Sequence, residues 1–187
     1  MGFFDTEKGV EQYITMAEGY DDTELVKILQ KYLPENSTVL ELGIGPGKDM
    51  DIMKKSYAVT GSDNSQVFLD KYKEKHRDTD LLLLDAVTIQ TDQKFDCIYS
   101  NKVLHHLTKE NLAKSLQRQK EMLNPNGIIF HSFWKGNKVE EMEGLLFTYY
   151  EIGDLKKMIE SIFDVLAMET YTEIEKDDSI YVVLRTR

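Results

Sequence analysis

The chain is poor in the residues that mark several classes of protein. It holds one cysteine, Cys97, and three prolines among 187 residues. A single cysteine excludes an intrachain disulfide and a cysteine-based metal framework. The apolar run around Cys97 predicts a small buried hydrophobic residue there. No apolar run approaches the roughly 20 residues that a membrane-spanning helix needs, and we expect neither a membrane span nor a signal peptide.

Positive charge is also scarce. The chain has 23 basic against 33 acidic residues, a formal net charge of −10. The densest basic stretch, Lys71 to Arg77, is typical of the solvated end of a helix. A negative field repels a phosphate polyanion unless a local basic patch overrides it. We therefore expect a small-molecule substrate, no nucleic-acid or membrane partner and a cytoplasmic location, with a monomer and a homodimer both open.

Dispersed charges and an apolar fraction of 41% predict a folded chain of one domain. Helical patterns over Glu7 to Ala17 and Asp22 to Tyr32 come first. Strand and helix patterns then alternate, which predicts an α/β fold with a mainly parallel sheet. The predicted strands of this part are Val39 to Leu42, Ala58 to Ser62, Asp80 to Leu84, Phe95 to Ser100 and Ile128 to Phe133.

The end of the chain departs from this alternation. A helix pattern from Leu155 to Ile162 is followed by two strand patterns, Phe163 to Glu169 and Ser179 to Leu184, with a polar turn between them. Two strands joined directly by a turn are antiparallel, so the sheet is predicted to end in one antiparallel hairpin. Ser65 and Thr108 are predicted to cap the helices that follow them.

A glycine loop follows the first strand. Gly43, Gly45 and Gly47 lead into a helix pattern that begins at Lys48. Backbone N–H groups and the positive end of a helix form a nucleotide-type site, and glycine lets a ligand approach the backbone. A dinucleotide site prefers G-x-G-x-x-G. Here the spacing is G-x-G-x-G, and Glu41 stands two residues before the first glycine.

This strand, carboxylate and glycine loop resemble motif I of the class I S-adenosylmethionine-dependent methyltransferases. The resemblance covers essentially the whole chain and is tightest from Val39 to Phe133. It implies a Rossmann-like, doubly wound, mostly parallel seven-stranded sheet flanked by helices, with strand order 3-2-1-4-5-7-6. It also implies S-adenosyl-L-methionine as cofactor, S-adenosyl-L-homocysteine as product, and Glu41 as the residue that serves the cofactor's ammonium group.

Two further carboxylates follow strands of the predicted sheet, at the edge where doubly wound sheets bind ligands. Asp63 follows the second strand and is predicted to accept both ribose hydroxyls, with a secondary contact from Asn64. Asp85 ends the third strand, and the resemblance implies that it accepts from the adenine amino group while the backbone at Ala86 contacts the ring. A helix-entry or capping role is the alternative for both carboxylates.

The segment after the fourth strand resembles the corresponding segment of many small-molecule methyltransferases. The resemblance implies that Ser100 and Asn101 line the methionine and sulfonium region of the cofactor. His105 and His106 are candidates for a catalytic base near the acceptor, because a neutral imidazole takes up a proton near pH 7. Structural packing is the alternative. No metal site is expected, since adjacent histidines on a helix point in different directions.

The N-terminal segment resembles the small helical lid of these enzymes, and Tyr13 and Tyr20 are candidates for a contact with the cofactor or the acceptor. Both also fit an amphipathic helix without such a role. The predicted division is a lid over residues 1–33, a cofactor-binding core over 38–133 and a substrate-side segment over 134–187. In this last segment, Trp134 to Asn137 and Leu146 to Tyr150 are predicted to wall the pocket, and Glu140 to Glu143 to form a solvated turn.

The predicted function is methyl transfer from S-adenosylmethionine to a small molecule, by in-line attack on the methyl carbon. The main task of the protein in such a reaction is to orient the reactants and exclude water, so a strong catalytic motif is not required. The segment after the fourth strand lacks the Asp/Asn-Pro-Pro-aromatic motif of amino-methylating DNA enzymes, and the chain lacks the Pro-Cys nucleophile of cytosine C5 enzymes. Two alternatives stay open: a non-catalytic cofactor-binding module and a nicotinamide-dependent oxidoreductase.

Overall fold

A computed structural model describes residues 3–16, 19 and 23–187. Its helices are α1 (Glu7–Met16), α2 (Thr23–Leu29), α3 (Lys48–Met53), α4 (Gln66–Lys75), α5 (Lys109–Met122) and α6 (Ile152–Ile159). Its strands are β1 (Thr38–Leu42), β2 (Ala58–Asp63), β3 (Leu81–Leu83), β4 (Phe95–Asn101), β5 (Leu123–Trp134), β6 (Val139–Met142), β7 (Leu145–Thr148), β8 (Phe163–Tyr171) and β9 (Ser179–Thr186). Short 3-10 turns span Phe3–Asp5 and Leu104–His106.

One seven-stranded sheet organises the molecule, in the order β3-β2-β1-β4-β5-β9-β8. Strands β1 to β5 pair in parallel, and β9 runs antiparallel to both β5 and β8. The labels of the last two strands differ from the predicted 3-2-1-4-5-7-6 because β6 and β7 form a separate two-stranded sheet. The predicted α/β class, mostly parallel with a terminal antiparallel hairpin, is confirmed.

The hairpin of β6 and β7 corrects one prediction. Glu140 to Glu143 were expected to form a solvated turn, whereas β6 pairs with β7 in antiparallel register as far as Met142. The turn is confined to Glu143 and Gly144, which have φ angles of 52° and 77°. Most side chains of β6 are exposed, so the strand has no apolar face by which the sequence could have revealed it.

Side chains of the central strands pack on both faces of the sheet. Val39 and Leu40 are both fully buried and belong to two different core clusters, because successive side chains of a strand point to opposite faces. Cys97 is buried, as predicted. Burial on both faces explains why the parallel strands are apolar throughout.

Local signals set the helix boundaries. The Ser65 hydroxyl accepts from the Phe68 N–H at 3.3 Å, and the Thr108 hydroxyl accepts from the Asn111 N–H at 3.2 Å. Both predicted caps are confirmed. In the part of the chain that the structure describes, no helix is long and apolar enough to cross a membrane.

Candidate functional site

The glycine loop is a tight turn held to the end of β2. The N–H groups of Gly43 and Ile44 both donate to the Ser62 carbonyl, at 2.7 and 2.9 Å. Gly43, Gly45 and Gly47 have φ angles of +73°, +48° and +85°. These left-handed conformations favour glycine at all three positions.

The three glycines differ in what surrounds them. A Cβ on Gly43 would lie 2.6 Å from the Val103 side chain, and one on Gly47 would lie 2.1 Å from the ring of Tyr72. Gly45 meets only Tyr13, at 3.7 Å. Gly43 and Gly47 therefore serve packing within the protein, and Gly45 leaves space beside the backbone for a ligand.

A cavity of about 480 Å³ opens from this loop toward β6 and β7. Its walls come from α1, the glycine loop, the segment after β4, and the hairpin. The predicted site residues that line it are Tyr13, Glu41, Gly43, Gly45, Asn101, His105 and His106. A second, more open depression of about 580 Å³ lies at the amino ends of β1 and β2, away from the glycine loop.

Two buried carboxylates lie at the glycine-loop end of the cavity. Glu41 is 3% exposed and Asp49 is 6% exposed, and Asp49 accepts a hydrogen bond from the Tyr99 hydroxyl at 2.8 Å. Buried carboxylates favour a cationic partner. Asp49 was not among the predicted site residues. These groups and the space at Gly45 fit a cofactor that carries an ammonium group beside a nucleoside.

Asp63 performs a structural task that the sequence had not specified. One carboxylate oxygen accepts from the Gly45 N–H at 3.0 Å and the other from the Ser65 N–H at 2.9 Å. Burial raises its pKa above the usual range, although these backbone bonds oppose the shift. Asp63 thus ties the glycine loop to the end of β2. Asn64 is exposed, neither residue lines the cavity, and their ribose contacts stay predictions.

Asp85 caps its own turn. Its carboxylate accepts from the N–H groups of Val87 and Thr88, each at 2.9 Å, which is the capping alternative that the sequence left open. Asp85, Ala86 and Gly47 do not line the cavity. Their predicted cofactor contacts, including those to adenine, stay predictions.

Ser100 belongs to a buried hydrogen-bond network instead of the cavity wall. Its hydroxyl lies 2.8 Å from His131 Nδ1, and His131 Nε2 lies 2.7 Å from Gln119 Oε1. Gln119 donates to Ser115, which donates to the Ala86 carbonyl. Because Gln119 Oε1 can only accept, His131 carries its proton on Nε2 and the Ser100 hydroxyl donates to Nδ1. Packing into the core therefore explains why Ser100 does not face the cavity.

The two predicted histidines lie together on the cavity wall. His105 is 2% exposed, and neither of its ring nitrogens has a hydrogen-bond partner among the described residues. His106 Nδ1 donates to the Leu146 carbonyl at 2.7 Å, which leaves Nε2 with a lone pair. Burial lowers the pKa of both rings, and the neighbouring His106 and Lys102 lower that of His105 further. Both imidazoles are neutral at pH 7.

An ion pair forms part of the cavity wall. Lys102 Nζ lies 2.9 Å from Glu173 Oε2 and 2.7 Å from the Ser179 hydroxyl. It also lies 3.5 Å from the centre of the Trp134 ring. Of the predicted wall, Trp134 and Phe147 line the cavity, whereas the other residues of Trp134 to Asn137 and of Leu146 to Tyr150 do not. Lys102 and Glu173, which also line it, were not predicted as site residues. Tyr20 lies outside the described residues.

Comparison with known proteins agrees with this geometry. A family model described as a methyltransferase domain matches residues 39–127. The tRNA (carboxymethyluridine(34)-5-O)-methyltransferase ALKBH8 of Mus musculus is 33% identical over 106 residues, 56% of this chain and 16% of that protein. The Macaca fascicularis protein of the same name is 32% identical over 105 residues. The chain thus matches only 16% of the length of either relative.

Solved structures share the fold. The 1,6-didemethyltoxoflavin-N1-methyltransferase of Burkholderia thailandensis, with S-adenosylhomocysteine bound, superposes with a TM-score of 0.81 at 15% identity. That match covers 96% of this chain and 84% of the other. The N-methyltransferase NodS of Bradyrhizobium japonicum WM9, also with S-adenosylhomocysteine, gives 0.70 at 13% identity, covering 88% and 84%.

The family match supports methyl transfer over the nicotinamide chemistry that the glycine loop had left as an alternative. The seven-stranded sheet and its terminal antiparallel hairpin are those implied by the resemblance. The chain is thus similar to the class I S-adenosylmethionine-dependent methyltransferases, in sequence over residues 39–127 and in fold over most of its length.

Proposed function

We propose that the chain transfers the methyl group of S-adenosylmethionine to a small molecule bound in the cavity between the glycine loop and the β6–β7 hairpin. The observation that carries the proposal is the cavity itself. It joins the cofactor-type glycine loop to an aromatic wall within about 480 Å³, a volume typical of small-molecule sites.

The cofactor would supply an activated methyl group, and the residues of the chain would bind and orient it. We propose that Glu41 holds its ammonium group, with Asp49 adding negative charge to the same end. Gly45 would give the ligand access to the backbone. The predicted contacts of Asp63 with the ribose and of Asp85 with the adenine belong to this proposal, since the carboxylate oxygens of both retain lone pairs beyond those they use in the protein.

His106 is proposed as the group that takes the proton released by the acceptor. Its Nδ1–H is committed to the Leu146 carbonyl, so the only nitrogen that can accept a proton is Nε2. Burial keeps the ring neutral, which is the protonation state that a general base needs. The His106 ring also packs at 4.8 Å, edge to face, against Phe147, which holds its orientation.

Helix α1 and the β6–β7 hairpin would enclose the site. Tyr13 and Met16 of α1 line one side of the cavity, and Met142 and Leu145 of the hairpin line another. We propose that residues 1–33 act as a lid, 38–133 as the cofactor-binding core and 134–187 as the substrate-side segment. Enclosure of this kind excludes water from the reacting atoms.

A second candidate acceptor is RNA, because the curated relatives are tRNA methyltransferases by name. The formal net charge of −10 favours the small molecule, since RNA binding depends on basic side chains that neutralise phosphates. Among the residues that line the cavity, Glu41, Asp49, Glu143 and Glu173 outnumber the two lysines.

The test begins with titration calorimetry of S-adenosylmethionine, S-adenosylhomocysteine and NADH. We expect binding of the two adenosyl compounds and not of NADH. Transfer of labelled methyl groups is then measured on a small-molecule panel and on total tRNA. Labelling of tRNA alone would overturn the small-molecule proposal, and cofactor binding with no transfer to any acceptor would favour the non-catalytic module.

The proposed contact between Glu41 and the cofactor's ammonium group is tested with Glu41→Gln, which removes one negative charge with little change of side-chain shape. We expect weaker binding of S-adenosylhomocysteine. Glu35→Gln is the matched control, because Glu35 is exposed and does not line the cavity. Equal affinity of both variants and the parent chain would contradict the role of Glu41.

A further inference from the structure

His105 stands out because its ring is buried and both of its nitrogens lack a partner within the described part of the chain. A neutral imidazole has one N–H donor and one lone pair. Leaving both unsatisfied in a buried position costs free energy. The ring lines the cavity, so a ligand there can provide a partner for the ring nitrogen that faces it.

The environment of His105 selects for a flat, uncharged group. The Phe147 ring stacks on the His105 ring, with centroids 5.3 Å apart and an interplanar angle of 26°. Trp134 and Leu145 line the same cavity. Aromatic and aliphatic walls of this kind favour an aromatic ligand.

In the described part of the cavity wall, the cation near His105 is already paired, which disfavours an anionic ligand here. Lys102 is the lysine of this wall, and its ammonium group already contacts Glu173, Ser179 and the face of the Trp134 ring. An ammonium group has three N–H bonds, so these three contacts use its donor capacity. A carboxylate placed here would face Glu173 and the neutral rings of His105 and His106.

We propose that the methyl acceptor is an uncharged aromatic heterocycle with a ring N–H, which donates that N–H to His106 Nε2 and accepts a hydrogen bond from the ring N–H of His105. This inference rests on the proposed function and specifies the acceptor of that site. In the reaction, the acceptor nitrogen forms a bond to the methyl carbon while the carbon–sulfur bond breaks and its electron pair stays on sulfur. The N–H proton passes to His106 Nε2 and then to solvent.

The experiment uses the full chain saturated with S-adenosylhomocysteine, and benzimidazole as the probe. Benzimidazole presents one ring N–H and one ring nitrogen lone pair. Benzoate, which is anionic, and benzothiophene, which has no N–H, serve as matched comparison compounds. Binding is followed by ligand-observed NMR. We expect benzimidazole to bind and to exceed both comparison compounds.

The variant His105→Phe keeps a flat ring and removes both hydrogen-bonding groups. We expect it to weaken benzimidazole binding by about fivefold to tenfold, the effect of one lost hydrogen bond, and to leave S-adenosylhomocysteine affinity unchanged. His105→Gln retains a donor and an acceptor and should recover part of the loss. His76→Gln, at a partly exposed histidine outside the cavity, is the control.

The outcomes separate this inference from the proposal on which it rests. Failure of the parent chain to bind S-adenosylhomocysteine overturns the proposed function. Binding of S-adenosylhomocysteine together with preference for benzoate, with no binding of benzimidazole, or with equal binding by the parent chain and His105→Phe, overturns the acceptor class alone.

Discussion

Acidification tests the buried network around His131. The ring is fully buried and its two nitrogens contact Ser100 and Gln119. Burial lowers its pKa from the ordinary 6.5 to about 3. Between these two pH values the unfolded chain binds a proton at His131 and the folded chain does not. The free energy of unfolding therefore falls as the pH falls through this window.

The pKa difference sets the magnitude of the loss. One pKa unit corresponds to about 1.4 kcal/mol, so His131 should remove about 3 kcal/mol of stability by pH 4 and about 4 kcal/mol by pH 3. A small domain has a total stability of roughly 5–15 kcal/mol. This one side chain is thus expected to account for a large part of acid unfolding.

The assay is urea unfolding at a series of pH values from 7.5 to 4. His131→Gln should be less stable than the parent chain at pH 7.5 by about 1–3 kcal/mol, because it disturbs the hydrogen bonds of the network. It lacks the titrating ring, so the gap should close and then reverse as the pH approaches 4. Ser100→Ala is the control, since it removes one bond of the network and retains the ring. Parallel pH dependence in His131→Gln and the parent chain would refute the reasoning.

Three further substitutions follow from the geometry of the site. Gly45→Val should abolish binding of S-adenosylhomocysteine in calorimetry, because it fills the space beside the loop; unchanged binding would contradict the assignment. Asp63→Ala should lower the free energy of unfolding in urea by about 1–3 kcal/mol, since the Gly45 and Ser65 N–H groups lose their acceptor. It should also weaken cofactor binding. A variant as stable as the parent chain would show that these bonds contribute little to stability. Lys102→Met should cost roughly 3 kcal/mol by the same assay because it leaves the largely buried Glu173 without its cation, and adding Glu173→Gln should restore part of the loss.

Local signals account for the parts of the fold that the sequence predicted well. The glycine loop, the caps at Ser65 and Thr108 and the apolar strands each depend on residues close together in the chain. Left-handed φ angles favour glycine, and cap hydroxyls bond to N–H groups within three residues. The predicted strand order had another basis, because it came from the resemblance to a known fold and not from any local sequence pattern.

Contacts between distant residues account for what the sequence did not reveal. Lys102 meets Glu173 across 71 positions, and no spacing rule connects them. The hairpin strand β6 has mostly exposed side chains, so it shows no buried alternation. Asp85 shows another reason why the sequence is ambiguous. A carboxylate at the end of a strand can bind a ligand or accept hydrogen bonds from its own turn, and only the structure shows the turn contacts.

The segment after β4 sets the distance between the two ends of the cavity. Val103 packs against Gly43 on the loop side, while the Lys102 side chain is bound to Glu173 on the acceptor side. Lys102 has a φ of 53°, which is uncommon for a residue other than glycine, and its N–H is fixed by the Ser132 hydroxyl at 3.0 Å. Methyl transfer depends on the alignment of donor and acceptor. Two adjacent residues in one constrained turn therefore couple the position of the glycine loop to that of the proposed acceptor wall.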